Sequence, residues 1–202
     1  RPVLNFGYVL GEAVPVSQLV AISNAGEGIV NWTTSSDSSW LFVTPDSGTG
    51  NGTITVSVDS SALSTGDYTG LITVSDGNAG NSPQTVTVNL SVKSAGQTDK
   101  PFGNFDTPID QSTVRSSIPV TGWALDDIGI DNVKIYRNPE SGEPTQPNGL
   151  IYIGDAIFIE NARSDIETRY PDYPWNYKAG WGFMMLTNFL PNSGNGTFTI
   201  YA

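Results

Sequence analysis

Neither cysteine nor histidine occurs among the 202 residues of this chain. Their absence removes thiol nucleophiles, disulfides, the side chain best suited to shuttle protons near neutral pH, and the nitrogen and sulfur ligands of a zinc site. Covalent catalysis would fall to Ser, Thr, Lys, Asp, Glu or Tyr. A bound metal would have to be a hard, oxygen-ligated ion such as calcium. Without cysteine, the redox compartment leaves no mark on the sequence. Basic residues are also scarce: nine Lys and Arg stand against 20 Asp and Glu, a net charge of −11. Residues 1–99 hold two of the cations and eight of the acids, so both halves are acidic. Neither has a basic patch to neutralise phosphates, which argues against nucleic acid as a partner. Long apolar runs are missing as well, and none approaches the ~20 residues needed to span a bilayer. The opening Arg1-Pro2-Val3-Leu4 carries no leader pattern and is expected to be the inside of a longer chain or a processed end.

What is present is β-forming sequence. Candidate strands fall at 3–9, 14–23, 28–34, 40–43, 52–58, 66–75 and 84–93. The runs Thr53-Ile54-Thr55-Val56-Ser57-Val58 and Thr85-Val86-Thr87-Val88-Asn89-Leu90-Ser91-Val92 alternate strictly and are rich in β-branched residues. Asn24-Ala25-Gly26, Pro45-Asp46-Ser47-Gly48 and Asp76-Gly77-Asn78 supply turn chemistry between them. Seven short strands without a helix pattern predict an antiparallel sandwich over residues 1–94. Residues 95–101, polar and ending in Pro101, are expected to be a linker. Residues 102–202 predict a second sandwich, with strands at 103–106, 118–125, 132–137, 150–158, 182–186 and 195–202. Residues 137–149 hold three prolines and are expected to form a hairpin loop. Ser164-Asp165-Ile166-Glu167 has the form of a capping box for one short helix, stopped by Pro171. The fold class is thus all-β, two tandem immunoglobulin-like antiparallel β-sandwiches.

Ile22-Ser23-Asn24-Ala25-Gly26, Val30-Asn31-Trp32, Ser39-Trp40-Leu41 with Pro45 and Ser47-Gly48, Thr53-Ile54-Thr55-Val56, and Gly66-Asp67-Tyr68-Thr69-Gly70 before Ile72-Thr73-Val74 occur in that order. In these residues the first domain resembles BACON-type modules, bacterial immunoglobulin-like domains often found beside carbohydrate-active enzymes. In the second domain, Val120-Thr121-Gly122-Trp123-Ala124-Leu125-Asp126-Asp127 precedes Val133-Lys134-Ile135-Tyr136. Ala162-Arg163-Ser164-Asp165-Ile166, Tyr170-Pro171 and Gly180-Trp181-Gly182-Phe183 follow. These residues resemble immunoglobulin-like modules of large bacterial extracellular and cell-wall proteins. Such modules continue into one more strand, so the resemblance implies that the second sandwich lacks its last strand. That leaves either a fragment or an edge completed by a strand from elsewhere. Both resemblances imply attachment, spacing or glycan contact rather than a defined reaction.

Aromatic residues concentrate between 170 and 183, where six of fourteen positions are aromatic. Flat rings pack against the C–H faces of sugars, and neighbouring Asp, Asn or Lys bind hydroxyls. Tyr173, Trp175 and Tyr177 are therefore the candidate carbohydrate-binding residues. The competing account is that the rings pin a long loop to the sheet. Trp181 and Phe183 are expected in the core, as are Trp32, Trp40 and Trp123. Asp126, Asp127 and Asp131 form the candidate calcium set, with Asp155 or Glu160 completing it. Ordinary turn chemistry accounts for the same acids, and no EF-hand spacing is present. A glycosidase needs two carboxyls at fixed separation in a cleft. Nothing in two small sandwiches supplies one, and no catalytic residue is assigned. Four Asn-x-Ser/Thr sequons, at Asn31, Asn51, Asn89 and Asn195, are near background for such a composition.

The expected function is a non-catalytic spacer or binding segment of a secreted or cell-surface protein, touching polysaccharide or neighbouring modules of a larger chain. The alternative is a subunit of an extracellular fibre or pilus-like polymer, self-associating through the open edge of the second domain. The acidic, lysine-poor surface agrees with an extracellular location.

Overall fold

The computed structural model describes residues 1–202 and divides into two compact units. The first comprises Arg1–Asp99 together with Asp127–Gly129, the second Lys100–Asp126 and Ile130–Ala202. The division falls inside the stretch expected as a linker.

In the first unit, β1 (Val3–Val9), β8 (Gln84–Lys93), β7 (Gly66–Ser75), β3 (Asn31–Ser36) and β5 (Ser47–Thr49) make a five-stranded sheet in that order. A three-stranded sheet holds β2 (Gln18–Ile22), β6 (Gly52–Val58) and β4 (Leu41–Thr44). Strict alternation translates directly into burial. Ile54, Val56 and Val58 of β6 face Val86, Val88, Leu90 and Val92 of β8 in one apolar cluster, and the residues between them stay nearer solvent. Two features depart from expectation. β1 runs parallel to β8, from Val3 opposite Thr87 to Val9 opposite Lys93, in an otherwise antiparallel unit. And β5 occupies residues expected to be turn: Gly48 lies directly opposite Trp32, whose ring covers it. A Ser-Gly-Thr segment has no apolar period, so tertiary pairing alone makes it a strand.

Several buried polar groups of this unit are satisfied internally, while the Ser60 hydroxyl is buried without a hydrogen-bond partner. Gln18, fully buried, donates from Nε2 to the Asn5 carbonyl at 2.7 Å. Asn89 donates to Asn5 Oδ1 at 2.9 Å, and Trp32 Nε1 donates to the Gly50 carbonyl at 3.1 Å. Trp32 and Trp40 are both buried, and Trp40 meets Tyr68 edge-on at 6.3 Å.

In the second unit, β9 (Phe102–Thr107), β10 (Ser117–Leu125), β13 (Ile157–Phe158) and β14 (Gly180–Leu186) form a sheet in the order β13-β14-β10-β9. The strands β11 (Lys134–Arg137), β12 (Ile151–Asp155) and β15 (Ile200–Tyr201) form another in the order β12-β11-β15. Ile118, Val120, Val133, Ile135, Trp181, Met185 and Leu190 build the core between them. The single strand expected at 150–158 is two: the chain leaves β11 after Asp155 and pairs with β14 at Ile157 and Phe158, so it changes sheets at Ala156. The strand expected at 195–202 shortens to two residues, which pair with β11 at the edge of their sheet. Just before the expected start, Asn192, Ser193 and Gly194 take left-handed φ of 52°, 54° and 80° in a 3-10 turn.

The one α-helix, α1, spans Ser164–Arg169. Its cap position is Arg163 and no side chain caps it, so the expected capping box is not formed. Ser164 is already helical, and Asp165 is drawn back to the Arg163 guanidinium, with contacts of 2.9 and 2.7 Å. The helix begins one residue earlier than the motif requires, so Ser164 lies inside it rather than at the cap. The helix ends before Pro171, as the missing N–H requires.

Candidate functional site

The aromatic stretch leaves α1, crosses a loop and makes a one-turn 3-10 helix at Asn176–Lys178 before entering β14. Asn176 closes this path: its Nδ2 donates to the carbonyls of Tyr170 and Pro171, both at 3.1 Å. The rings then sort by what they can cover. Tyr170 and Tyr173 each stand edge-on to Phe102 with centroids 5.3 Å away, and Trp123 meets the same ring at 5.7 Å. With Leu125, Ile166 and Ala179 they form a satellite core. Trp123 is thus part of this satellite cluster, while Trp181 is in the main core and Phe183 is packed against it.

Of the three candidate glycan contacts, Tyr173 packs into the satellite core and Tyr177 is buried at 6% exposure. They do not form a flat platform with Trp175, because a loop of this length fills its own interior with the rings nearest to it. Trp175 is different. It is half-buried, lies outside both cores and sits in left-handed backbone, φ 56° and ψ 22°. A bulky residue is held there at a cost of roughly 1–3 kcal/mol by its surroundings. Those surroundings are specific. Lys178 places Nζ 4.8 Å from the ring centroid and 3.0 Å from Glu160 Oε1, and Tyr177 lies 5.7 Å away, tilted 45°.

The acidic set is dispersed. Asp127 is counted with the first unit, where its carboxylate binds Lys93 Nζ and accepts the Asp99 N–H at 3.0 Å. The Lys93–Asp127 hydrogen bond raises Lys93 above the ordinary lysine range. Asp126 is buried and Asp131 exposed. Glu160 is paired with Lys178, and Asp155 stands opposite Lys134 in the β11–β12 register. No group of three or more His, Cys, Asp or Glu is placed to hold a metal ion. The calcium set of Asp126, Asp127 and Asp131 is therefore not assembled, because ion pairing and burial have already engaged or separated its members.

Hydrogen bonds and ion pairs lower several carboxyls below their ordinary range. The Leu71 N–H lowers Asp37, Ser61 lowers Asp59, Arg163 holds Asp165 at about 2, and Arg137 holds Glu143 at about 2. The Arg137–Glu143 pair organises the proline-rich loop. Buried Arg137 donates to both Glu143 oxygens, at 2.6 and 2.7 Å, and Glu143 also accepts the Glu140 N–H. Because its folded pKa is depressed from 4.5, Glu143 contributes stability above that value and loses it as pH falls toward 2. NMR titration should place its midpoint near 2, and Glu143→Gln should weaken the acid sensitivity of unfolding. A midpoint near the ordinary glutamate value would show that the loop is not clamped.

A second aromatic group escaped the sequence analysis. Tyr136, Tyr152 and Tyr201 occupy matched positions on β11, β12 and β15. Their signal was present, since each tyrosine directly follows an isoleucine in a short strand. Single tyrosines in separate runs give no cluster until the register is known.

No helix is long and apolar enough to cross a membrane. No curated protein matches the chain at a significant level. Similar solved structures include a Bacteroides ovatus GH5 xyloglucanase in complex with a XXXG heptasaccharide, at 21% identity and TM-score 0.38, covering 55% of this chain and 22% of that one. A proposed carbohydrate binding protein from Bacteroides ovatus ATCC 8483 is similar at 14% identity and TM-score 0.36, covering 67% of this chain and 49% of that one. Tripeptidyl peptidase 2 is similar at 16% identity and TM-score 0.32, covering 68% of this chain and 13% of that one. The chain thus spans less than half the length of each of these three structures. The matched family description is viral, where the residues resembled bacterial modules: residues 11–93 match the model of the viral BACON domain, which supports a BACON-type module in the first unit.

Proposed function

We propose that this chain is a non-catalytic segment of a larger extracellular or cell-surface protein that contacts carbohydrate. The observation that carries the reading is Trp175. Its ring lies outside both cores of its unit, in backbone that a tryptophan adopts at a cost, with a lysine across its face. Lys178 and its partner Glu160 put charged groups beside it that can bind hydroxyls. The BACON-type match over residues 11–93 supports the same reading. The mechanism is passive: sheets packed over their own cores hold the loop, and binding changes no bond.

Trp175→Ala is expected to lower affinity for a bound polysaccharide about tenfold, the worth of one stacked ring, and to leave the melting temperature nearly unchanged. Glycan-array binding followed by calorimetry on the intact chain measures both. Absence of binding to every glycan in a broad array would remove the proposal.

A further inference from the structure

The three-stranded sheet of the second unit has a buried face and a solvent face. Ile135, Ile153 and Ile200 point into the core. On the opposite face the register sets Tyr136 directly across from Tyr152 on one side and from Tyr201 on the other. Residues directly opposite one another share a face, so the three rings form one row across the strands. With strands ~4.8 Å apart, the row is roughly 10 Å long. Tyr152 is 42% exposed and Tyr201 39%, and Tyr136 is half-buried between them. The Tyr136 and Tyr152 rings meet edge-on at 5.8 Å.

Polar groups border the row. Tyr201 Oη donates to Asn138 Oδ1 at 3.1 Å. Desolvation, then the Asp155 hydrogen bond, pushes the Tyr152 hydroxyl up, so it stays a protonated donor across physiological pH. Lys134 stands opposite Asp155 in the register. Solvent-facing positions of an antiparallel sheet ordinarily take polar side chains. Three tyrosines in three successive strands, bordered by an amide, a carboxylate and an ammonium, instead make a stacking surface with hydroxyl partners at its margin.

We propose that this tyrosine row is a binding site for a neutral polysaccharide chain. The assignment rests on carbohydrate contact as the function, and adds a site distinct from Trp175. Neutrality follows from charge. The chain carries −11 overall, and the one cation of this face faces a carboxylate, so a polyanion meets net repulsion. A polymer fits better than a single sugar, because the surface is an open row rather than a pocket.

The test is titration calorimetry of the intact chain with a soluble neutral β-glucan, a galactomannan and a polyuronate. Tyr152→Ala and Tyr201→Ala should each lower affinity for a neutral polymer about five- to tenfold, and Tyr152→Phe should stay within about twofold, because the ring is retained. The polyuronate should not bind. Should the alanine variants lose folded structure, Tyr152→Thr removes the ring and keeps a strand former. Unchanged affinity in the tyrosine variants, with loss in Trp175→Ala, would overturn this site and leave the carbohydrate reading standing. A wild-type chain that binds none of the polymers overturns both. Preference for the polyuronate overturns the assigned ligand class, and a dimer that dissociates on Tyr152→Ala gives the face to a second copy instead.

Discussion

Replacing Trp32 with alanine should destabilise the first unit by about 3–5 kcal/mol, the range for removing a buried aromatic ring. The ring is 3% exposed. It roofs two glycines that have no side chain of their own to fill the space: Gly48, directly opposite in β5, and Gly52, where an added Cβ would lie 2.6 Å from the ring. Its Nε1 also donates to the Gly50 carbonyl, so the substitution leaves an acceptor without its donor as well as a cavity. Neighbouring backbone cannot collapse into the gap without breaking the β3–β5 pairing, so the high end of the range is expected. Chemical denaturation should show a lower midpoint with an unchanged slope. Hydrogen exchange should quicken in β3, β5 and β6. A loss below about 1 kcal/mol would mean that the ring is not what holds β5 in place.

Gly122→Ala should be similarly damaging in the second unit for the opposite reason. A Cβ at this position would overlap the Asn104 carbonyl oxygen and the Trp181 ring. The carbonyl belongs to β9, which pairs with β10 across a register shift between Thr121 and Gly122. Relief therefore requires moving a whole strand or displacing a core tryptophan. Overpacking of this kind costs about 1–3 kcal/mol and more when backbone is the obstacle. Gly182→Ala is the control: its new methyl would meet Ile159 and Thr121 at 3.7 and 3.8 Å, ordinary contact distances, and its φ is not in the left-handed region. That variant should stay within about 1 kcal/mol of the parent, since lost backbone freedom in the unfolded chain offsets any mismatch. Equal effects of the two substitutions in thermal unfolding would show that the β9–β10 approach is loose.

The strands at 3–9, 52–58, 66–75 and 84–93 coincide with β1, β6, β7 and β8. Alternation of β-branched and polar residues depends on nothing beyond the segment itself. β5 and the division of 150–158 between two sheets depend on partners far away in sequence, and no local pattern announces them. The parallel pairing of β1 is of the same kind, because an alternating strand carries no mark of its neighbour's direction. The helix is legible in its local sequence, but its start is not: the cap falls at Arg163, one residue before the motif, and Arg163 also pairs with distant Asp106.

Among the functional candidates, composition supplied the aromatic and acidic groups, and tertiary packing decided which of them are buried or paired. The density of rings between 170 and 183 was visible directly. Which of them turned inward was settled by Phe102 and Asn176, neither of which marks the loop as a core. The three tyrosines of the second group are separated by 16 and 49 positions in sequence and meet only through strand register. Of the acids close in sequence between 126 and 131, Asp127 pairs with a distant lysine, Asp126 is buried and Asp131 is exposed. By itself, then, the sequence determined an all-β chain without thiol or imidazole chemistry, because element type and available functional groups are local properties. Which rings face solvent and which carboxylates are neutralised was decided by the tertiary structure alone, because burial and ion pairing are set by residues that the chain brings together from far apart.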